Sequence, residues 1–534
     1  MSTKVEISKK LVLINITSSV VARVLNVFVL IWMYQYLLRR ISPEEFSLYP
    51  VLTGIMAFTP LLTVVLTGGL GRYIVEAYAK SDENRVTQIV STMFPLLLGV
   101  ALIILVAGLI LAWNINYVFH IEAERLIDAR LMLGLLVFSA AVRLPLSPFG
   151  VGMYVRQRFV LQNLIAVSAE FLRIALLCAL LLGVSTRVLW LVVASVSAEV
   201  TRLLVSQYVS RRLVRSLKFS LHHIRWSIAG ELLSFGGWNL VAYLANTISE
   251  GLIPFALKKL ATAVDVTSFH MGSLPFRQIE DGSWMLRTPL QPAMTAMHAT
   301  GSKDRLKNAY LRVGRYGLWA VLAIAVPLMI YAKEVVLLYV GDTYVSAAMV
   351  MILMMATFPI KYGNLMLAQL SLATAEVGPV ARRELATQVV LVGLIGYFVW
   401  YLRWGAVGCA MAVFVGTAIM YPLLSWPLGL RMAGTSFREW LRETLWPGLV
   451  PGLVAAVVWI AAKSYIHPFS WLGVGACTAV GMVCYLVVLL LCLREYDREQ
   501  LWDLLGKARN LSLRSKAKLS PLAVRDVIAK EEEI

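Results

Sequence analysis

The chain is built from apolar runs of about 18 to 30 residues, a length that matches the roughly 30 Å hydrocarbon thickness of a bilayer at 1.5 Å per helical residue. Between them lie short stretches that hold most of the Arg, Lys, Asp and Glu. Inside a bilayer the backbone must satisfy its own polar groups, so runs of this kind are helices. Charged residues make up 15% of the chain, against about 25% in soluble domains. Apolar residues make up 59%, and mean hydropathy is +0.74. These values point to an all-α polytopic membrane protein.

Fourteen transmembrane segments can be marked off, at 11–37, 46–70, 89–113, 131–153, 159–184, 188–210, 232–257, 266–297, 313–332, 344–373, 384–402, 405–429, 446–463 and 469–492. The expected organisation is an N-lobe over 1–210 (segments 1–6) and a basic linker over 211–231. A C-lobe over 232–430 (segments 7–12), a last pair within 431–493 and a tail over 494–534 complete it. An even count puts both ends on one side. The loops and tail on that side carry roughly three times as many Lys and Arg as the loops opposite, which makes it the cytoplasmic side. The net charge of +18 follows from this bias and from a basic tail such as "RSKAK", and calls for no nucleic acid. Segment 1 is too long for a signal-peptide core and no small-residue cleavage site follows it, so it is expected to remain as a helix. The tail opens on "REYDREQLWDLLGKA", an amphipathic pattern suited to a membrane surface.

Several classes of chemistry are not encoded. Cys178, Cys409, Cys477, Cys484 and Cys492 all lie in apolar segments without metal-like spacing, and the six histidines show no ligand pattern. No phosphate-binding loop, zinc motif or nucleophile elbow occurs. The longest outer loop, near Asn114 to Asp128, leaves no room for an extracytoplasmic catalytic domain. The expectation is a protein that is no enzyme and needs no cofactor or metal.

Two stretches repeat. "LLRRISPEEFSLY" (37–49) and "ALKKLATAVDVTSF" (256–269) align with one inserted residue, each following the first segment of its half. Two six-helix halves with parallel topology are a transporter design whose site lies between them at mid-membrane. "YLLRRISPEEFSLYPVLTGIMAF", "GGLGRYIVEAYAKSDENRVTQIV" and "VGDTYVSAAMVM" resemble the polysaccharide flippases of the MOP superfamily, relatives of the MATE antiporters and the lipid II flippases.

The resemblance implies a polyprenyl-pyrophosphate-linked oligosaccharide as substrate, carried across the cytoplasmic membrane by ion-coupled alternating access. It implies that segments 13 and 14 help hold the lipid tail, and that a polysaccharide polymerase and glycosyltransferases are partners. Two alternatives stay open. Lipid II flippases carry an additional arginine in segment 2, where 46–70 here has no charge. MATE-like multidrug or cation antiporters usually stop at twelve segments and favour an acidic, aromatic cavity, whereas segments 1, 4, 8 and 10 here supply cations.

Charges inside the segments mark candidate site residues, because each costs about 2.5–3.5 kcal/mol at a helix centre unless it faces protein or water. In segment 1, Asn15, Ser19, Arg23 and Asn26 form a stripe about 80° wide. Arg23 is suited to pyrophosphate by its guanidinium fork. Segment 7 carries Asn239, Tyr243, Asn246 and Glu250, with Asn and Tyr suited to sugar hydroxyls and Glu250 to an ion or to solvent. Segment 8 is too polar to face lipid and is interrupted by Pro275, Pro289 and Pro292. Its His270, Arg277, Asp281 and Trp284 share a face, and Arg277 or Arg287 could meet an anionic head while Trp284 stacks on a sugar. Asp281 could pair with Arg277 or couple an ion. Lys361 follows Pro359 in segment 10 and is a cavity or structural residue, and Arg143 in segment 4 is expected to be structural.

Segments 5 and 6 hold "VSAEFLR" and "VSAEVTR". Counting from the hairpin tip near Thr186, Glu170 is level with Arg202 and Arg173 with Glu199. This predicts a four-charge set near the bilayer centre that either clamps the two helices or relays ions.

Overall fold

The polar breaks between apolar runs cap the helices that follow them. The computed structural model describes residues 32–230 and 251–498, apart from scattered positions in 57–69 and 288–300, residues 495 and 496, and the single residues His120, Gln157 and Ala375. In it the side chain of Asp82 accepts the Arg85 amide at 2.8 Å, Ser436 that of Glu439 at 3.2 Å, and Ser470 that of Gly473 at 3.1 Å. Each bond satisfies one of the free N–H groups of a helix start.

The first half of the chain supplies α1 (Pro43–Met56), α2 (Leu70–Ala79), α3 (Glu83–Trp113), α4 (Ala123–Leu146), α5 (Phe159–Gly183) and α6 (Leu189–Leu213). The second supplies α7 (Ala263–Arg287), α8 (Lys303–Ile330), α9 (Ala332–Val340), α10 (Ser346–Thr374), α11 (Gly378–Tyr401), α12 (Gly405–Ala433), α13 (Phe437–Ile466) and α14 (Trp471–Cys492). Among the described residues there is no strand, and ten helices are long and apolar enough to cross a membrane. The molecule is a multi-pass, all-helical membrane protein. Segment 1 up to residue 31, much of segment 2, segment 7 up to Glu250 and the tail beyond Arg498 lie outside the described residues.

Helices overrun their apolar windows where a polar first turn projects beyond the lipid. α8 starts at Lys303 and α13 at Phe437, each about two to three turns ahead of the apolar run at 3.6 residues per turn. The main difference from expectation is at Pro275. The backbone runs through it as continuous helix from Ala263 to Arg287. Proline removes the N–H that would reach the Met271 carbonyl and crowds that turn with its ring, yet the helix continues through it; one position back, the His270 carbonyl takes a hydrogen bond from the Arg277 guanidinium at 2.9 Å. Pro289 and Pro292 lie outside the described residues.

Core packing divides the molecule along the membrane normal. One large apolar core joins both halves, through Met33, Phe46 and Leu191 on one side and Val266, Tyr344, Met351 and Cys409 on the other. It includes the end that carries the 184–188, 258–262 and 341–345 connections. At the other end, where the breaks are rich in Arg, the halves have separate cores. Leu70, Val90 and Leu217 belong to one; Tyr310, Leu370 and Trp440 belong to the other.

The last two helices pack against each other and onto α8. The Trp459 indole donates to the Thr478 carbonyl at 3.0 Å, Trp319 to Pro447 at 2.8 Å, and the Tyr485 hydroxyl to the Trp319 carbonyl at 2.7 Å. Gly481 makes this approach possible, since a Cβ there would lie 2.2 Å from the Trp459 ring nitrogen.

The charged set in α5 and α6 pairs along each helix. Arg173 bonds Glu170, and Arg202 bonds Glu199 at 2.7 and 2.8 Å. Arg143 of α4 adds a contact to Glu199 at 3.4 Å. Three residues apart on a helix is one turn, so each Glu finds its Arg locally. These are the pairs that a three-residue spacing places on one face of each helix, and a further contact links α6 to α4.

Candidate functional site

The sequence of α7 places polar and apolar residues on two different sides. At 100° per residue, His270, Ser273, Arg277, Glu280 and Asp281 fall on one face. Met271, Leu274, Pro275, Gln278 and Gly282 fall on the other. Each face opens on a cavity of its own. Close packing of α7 on α10 holds the helix in place: a Cβ on Gly272 would lie 2.5 Å from the Ala347 carbonyl oxygen.

The polar cavity has a volume of about 620 Å³. Its walls are the polar face of α7, Pro50 and Thr53 of α1, Lys361 of α10, Glu384, Thr387 and Gln388 of α11, and Tyr421 of α12. Its charges are held by one another. The Lys361 ammonium bonds the Glu280 carboxylate and lies 5.0 Å from the Phe276 ring centre. Arg383 bonds Glu384 and stacks 4.8 Å over Tyr421. Arg277 donates to the His270 ring at 3.1 Å, and the other nitrogen of that ring meets the Tyr34 hydroxyl at 3.4 Å.

The apolar cleft has a volume of about 900 Å³. Leu274, Pro275 and Gly282 line it from α7, Gly317, Ala320 and Ile324 from α8, Val336 and Tyr339 from α9, and Trp471 and Val474 from α14. Small residues on α8 leave the space and α14 closes the far wall. Its polar side chains include Gln278, Ser283, Arg287, Tyr316, Tyr339 and Tyr362, with Arg287 the charged one.

The structure distributes the candidate residues accordingly. Arg277, Asp281 and Lys361 line the polar cavity. Arg287 lines the apolar cleft instead, donating to Leu365 O at 3.2 Å and lying 5.4 Å over the Trp284 ring. Trp284 is half exposed. Glu170, Arg173, Glu199 and Arg202 line neither cavity. Arg23, Asn26, Asn239, Tyr243, Asn246 and Glu250 lie outside the described residues.

Four charged residues escaped the sequence reading. Glu280 sits beside Asp281 but one helical step round, and its signal is Lys361 on another helix, which no local spacing reveals. Arg383 and Glu384 stand where a polar break meets segment 11 and read as boundary charges. Arg315, at the edge of segment 9, is buried against Asp497 at 2.6 Å and Glu443 O at 2.9 Å. Among the described residues no group of His, Cys, Asp and Glu is arranged to hold a metal ion.

Comparison with known proteins gives this arrangement its context. Residues 36–349, more than half of the chain, match the family described as polysaccharide biosynthesis protein. The chain belongs to that family. This polysaccharide biosynthesis protein is also 20% identical over 230 residues to "Uncharacterized membrane protein EpsK" of Bacillus subtilis (strain 168), a match that spans 43% of this chain and 45% of EpsK. Its fold is shared by solved transporter structures. A lipid II flippase MurJ in an inward closed conformation superposes with a TM-score of 0.62 at 12% identity, covering 92% of this chain and 100% of MurJ. An inward-facing multidrug resistance MATE family transporter superposes with a TM-score of 0.60 at 15% identity, covering 77% of this chain and 95% of that one.

Proposed function

We propose that this polysaccharide biosynthesis protein is a flippase that moves a polyprenyl-pyrophosphate-linked oligosaccharide across the cytoplasmic membrane by alternating access. The observation that carries this reading is the pair of spaces on opposite sides of α7, one polar and charged, one apolar and walled by α14. A lipid-linked sugar needs both at once. Its hydroxyls and phosphates need hydrogen-bond partners out of lipid, since an unpaired polar group there costs several kcal/mol. Its isoprenoid chain starts in lipid, and an apolar cleft lets it stay out of water while the head group moves, where each exposed CH₂ would cost about 0.8 kcal/mol.

In this reading the C-lobe polar cavity receives part of the head group, with Arg277 and Lys361 toward its anionic part. Arg23, Asn26, Asn239, Tyr243, Asn246 and Glu250 complete the cavity from segments 1 and 7, Trp284 and Arg287 stand at the margin of the cleft, and Asp281 or Glu250 takes the coupling ion. The two lobes span 1–210 and 232–430, and both chain ends face the cytoplasm. The separate cores at the Arg-rich end and the shared core opposite then correspond to a state open toward the cytoplasm, where lipid-linked sugars are assembled. Polysaccharide polymerase and glycosyltransferases are the expected partners.

A lipid II flippase remains the second reading. The superposition on MurJ takes in 92% of this chain, against 77% for the MATE transporter, and so favours a lipid substrate over a drug. The experiment is reconstitution in liposomes with a fluorescent polyprenyl-diphosphate oligosaccharide. Protein-dependent transfer of the sugar head supports the proposal, transfer of labelled lipid II alone selects the second reading, and transfer of neither overturns both.

A further inference from the structure

His270 occupies an unusual position for a titratable group. It is buried on the polar face of α7, at the point where the two halves of the chain meet. Three rings from the first half surround it. Tyr34 and Tyr49 lie edge-on at 5.6 and 6.0 Å, and Phe46 lies tilted at 6.1 Å. The groups that face it can be named from each element. Arg277 comes from α7 itself, Tyr34 from the 32–38 helix and Tyr49 from α1. Lys361, Glu280, Asp281 and Glu384 share the same cavity; Glu280 is bonded to Lys361 and Glu384 to Arg383, while Asp281 lies one helical turn beyond Arg277.

The hydrogen bonds determine the protonation state. A guanidinium has donors and no acceptor. Arg277 Nη2 lies 3.1 Å from His270 Nδ1, so Nδ1 accepts and carries no proton. The ring is then neutral, with its proton on Nε2, which donates to the Tyr34 hydroxyl at 3.4 Å. A proton added at Nδ1 would set two cations against each other at bonding distance on a buried side chain. The closed contact and a charged His270 therefore exclude one another.

We propose that His270 is a proton-binding site that couples proton movement to separation of the two halves at this contact. When the contact opens, solvent from that side reaches the ring. A proton adds to the Nδ1 lone pair, the Arg277–Nδ1 hydrogen bond breaks, and Arg277 is released toward the polar cavity. When the contact closes, Arg277 returns and the Nδ1 proton leaves through the polar cavity, which His270 also lines. No electrons move, and one proton crosses per cycle. The direction is opposite to that of the head group, so the exchange is an antiport. This rests on the transport reading above and assigns its coupling step to one side chain.

The test reads conformation and needs no substrate. In a cysteine-free background, Ala123→Cys and Thr343→Cys place nitroxide labels on the two halves at the closed end, and their separation is measured in liposomes from pH 8 to pH 5. Only the open state takes the proton, so acid must favour it, and one proton changes the open-to-closed ratio by up to about tenfold per pH unit. The wild type is expected to shift toward the long distance as pH falls. His270→Gln keeps an acceptor for Arg277 and a donor for Tyr34, and is expected to stay closed throughout; His270→Lys is expected to stay open. Tyr34→Phe, which leaves the Arg277 bond intact, keeps the response with a moved midpoint. A wild-type distance independent of pH, or His270→Gln opening as the wild type does, overturns the proposal. Either result leaves the flippase reading to its own head-group assay.

Discussion

Asp497 gives the sharpest energetic prediction. It follows α14 and reaches back to α8, where it bonds Arg315 at 2.6 Å and accepts the Tyr316 hydroxyl. Arg315 and Asp497 are each only 3% exposed. Replacing Asp497 by Ala leaves a buried guanidinium with the Glu443 carbonyl, 2.9 Å away, as its remaining hydrogen-bond acceptor beside the Tyr316 and Trp319 rings. Stranding one member of a buried pair costs about 3–5 kcal/mol, and the surviving carbonyl bond places this case near 3 kcal/mol. Every 1.4 kcal/mol is tenfold, so the folded-to-unfolded ratio should fall about a hundredfold. Denaturation in mixed micelles with rising SDS would measure it. The control is Arg315→Met with Asp497→Leu, which removes both charges and keeps apolar volume; it should recover most of the loss. If Asp497→Ala costs under about 0.5 kcal/mol, or the double change simply adds the two single costs, the latch described here is wrong.

Three shorter predictions follow from the two cavities and the charged set. Lys361→Met strands Glu280 in the polar cavity and should lower both transport and stability, whereas exchanging the pair (Lys361→Glu with Glu280→Lys) should restore stability without transport; thermal unfolding beside a liposome assay separates these outcomes. Ala320→Trp fills the apolar cleft from α8 and should abolish movement of long-chain substrates while a short-chain analogue still binds, read by fluorescence of the labelled lipid. Glu199→Gln should destabilise more than Glu170→Gln, since Glu199 holds both Arg202 and Arg143 while Glu170 holds Arg173; parallel melting curves of the two variants decide it.

Most of the helical layout was legible in the sequence, because hydrocarbon thickness sets a length that composition alone displays. Segments 3–6 and 9–14 each have a helix, with ends moved by polar turns that a hydropathy window does not see. The two-sidedness of α7 was legible only in part. Its polar face was visible as His270, Arg277 and Asp281 in register, but its apolar face looked like ordinary membrane sequence until α8 and α14 closed a cleft over it. Pairs between distant helices were hidden. Lys361 stood alone until folding brought Glu280 to it, and Arg315 passed for an edge residue until Asp497, well over a hundred positions later, was found beside it. The local Glu–Arg pairs of α5 and α6 show the opposite case, in which one helical turn satisfies a charge before any neighbouring helix can.

The measurement that bears most directly on the central claim is the transfer of a labelled head group. Purified protein is placed in liposomes with a fluorescent polyprenyl-diphosphate oligosaccharide on one leaflet, and a membrane-impermeant quencher reports its arrival on the other. The account predicts transfer that depends on the protein, falls on Lys361→Met and stops on Ala320→Trp. Folded, correctly oriented protein that leaves the sugar on its original leaflet contradicts it.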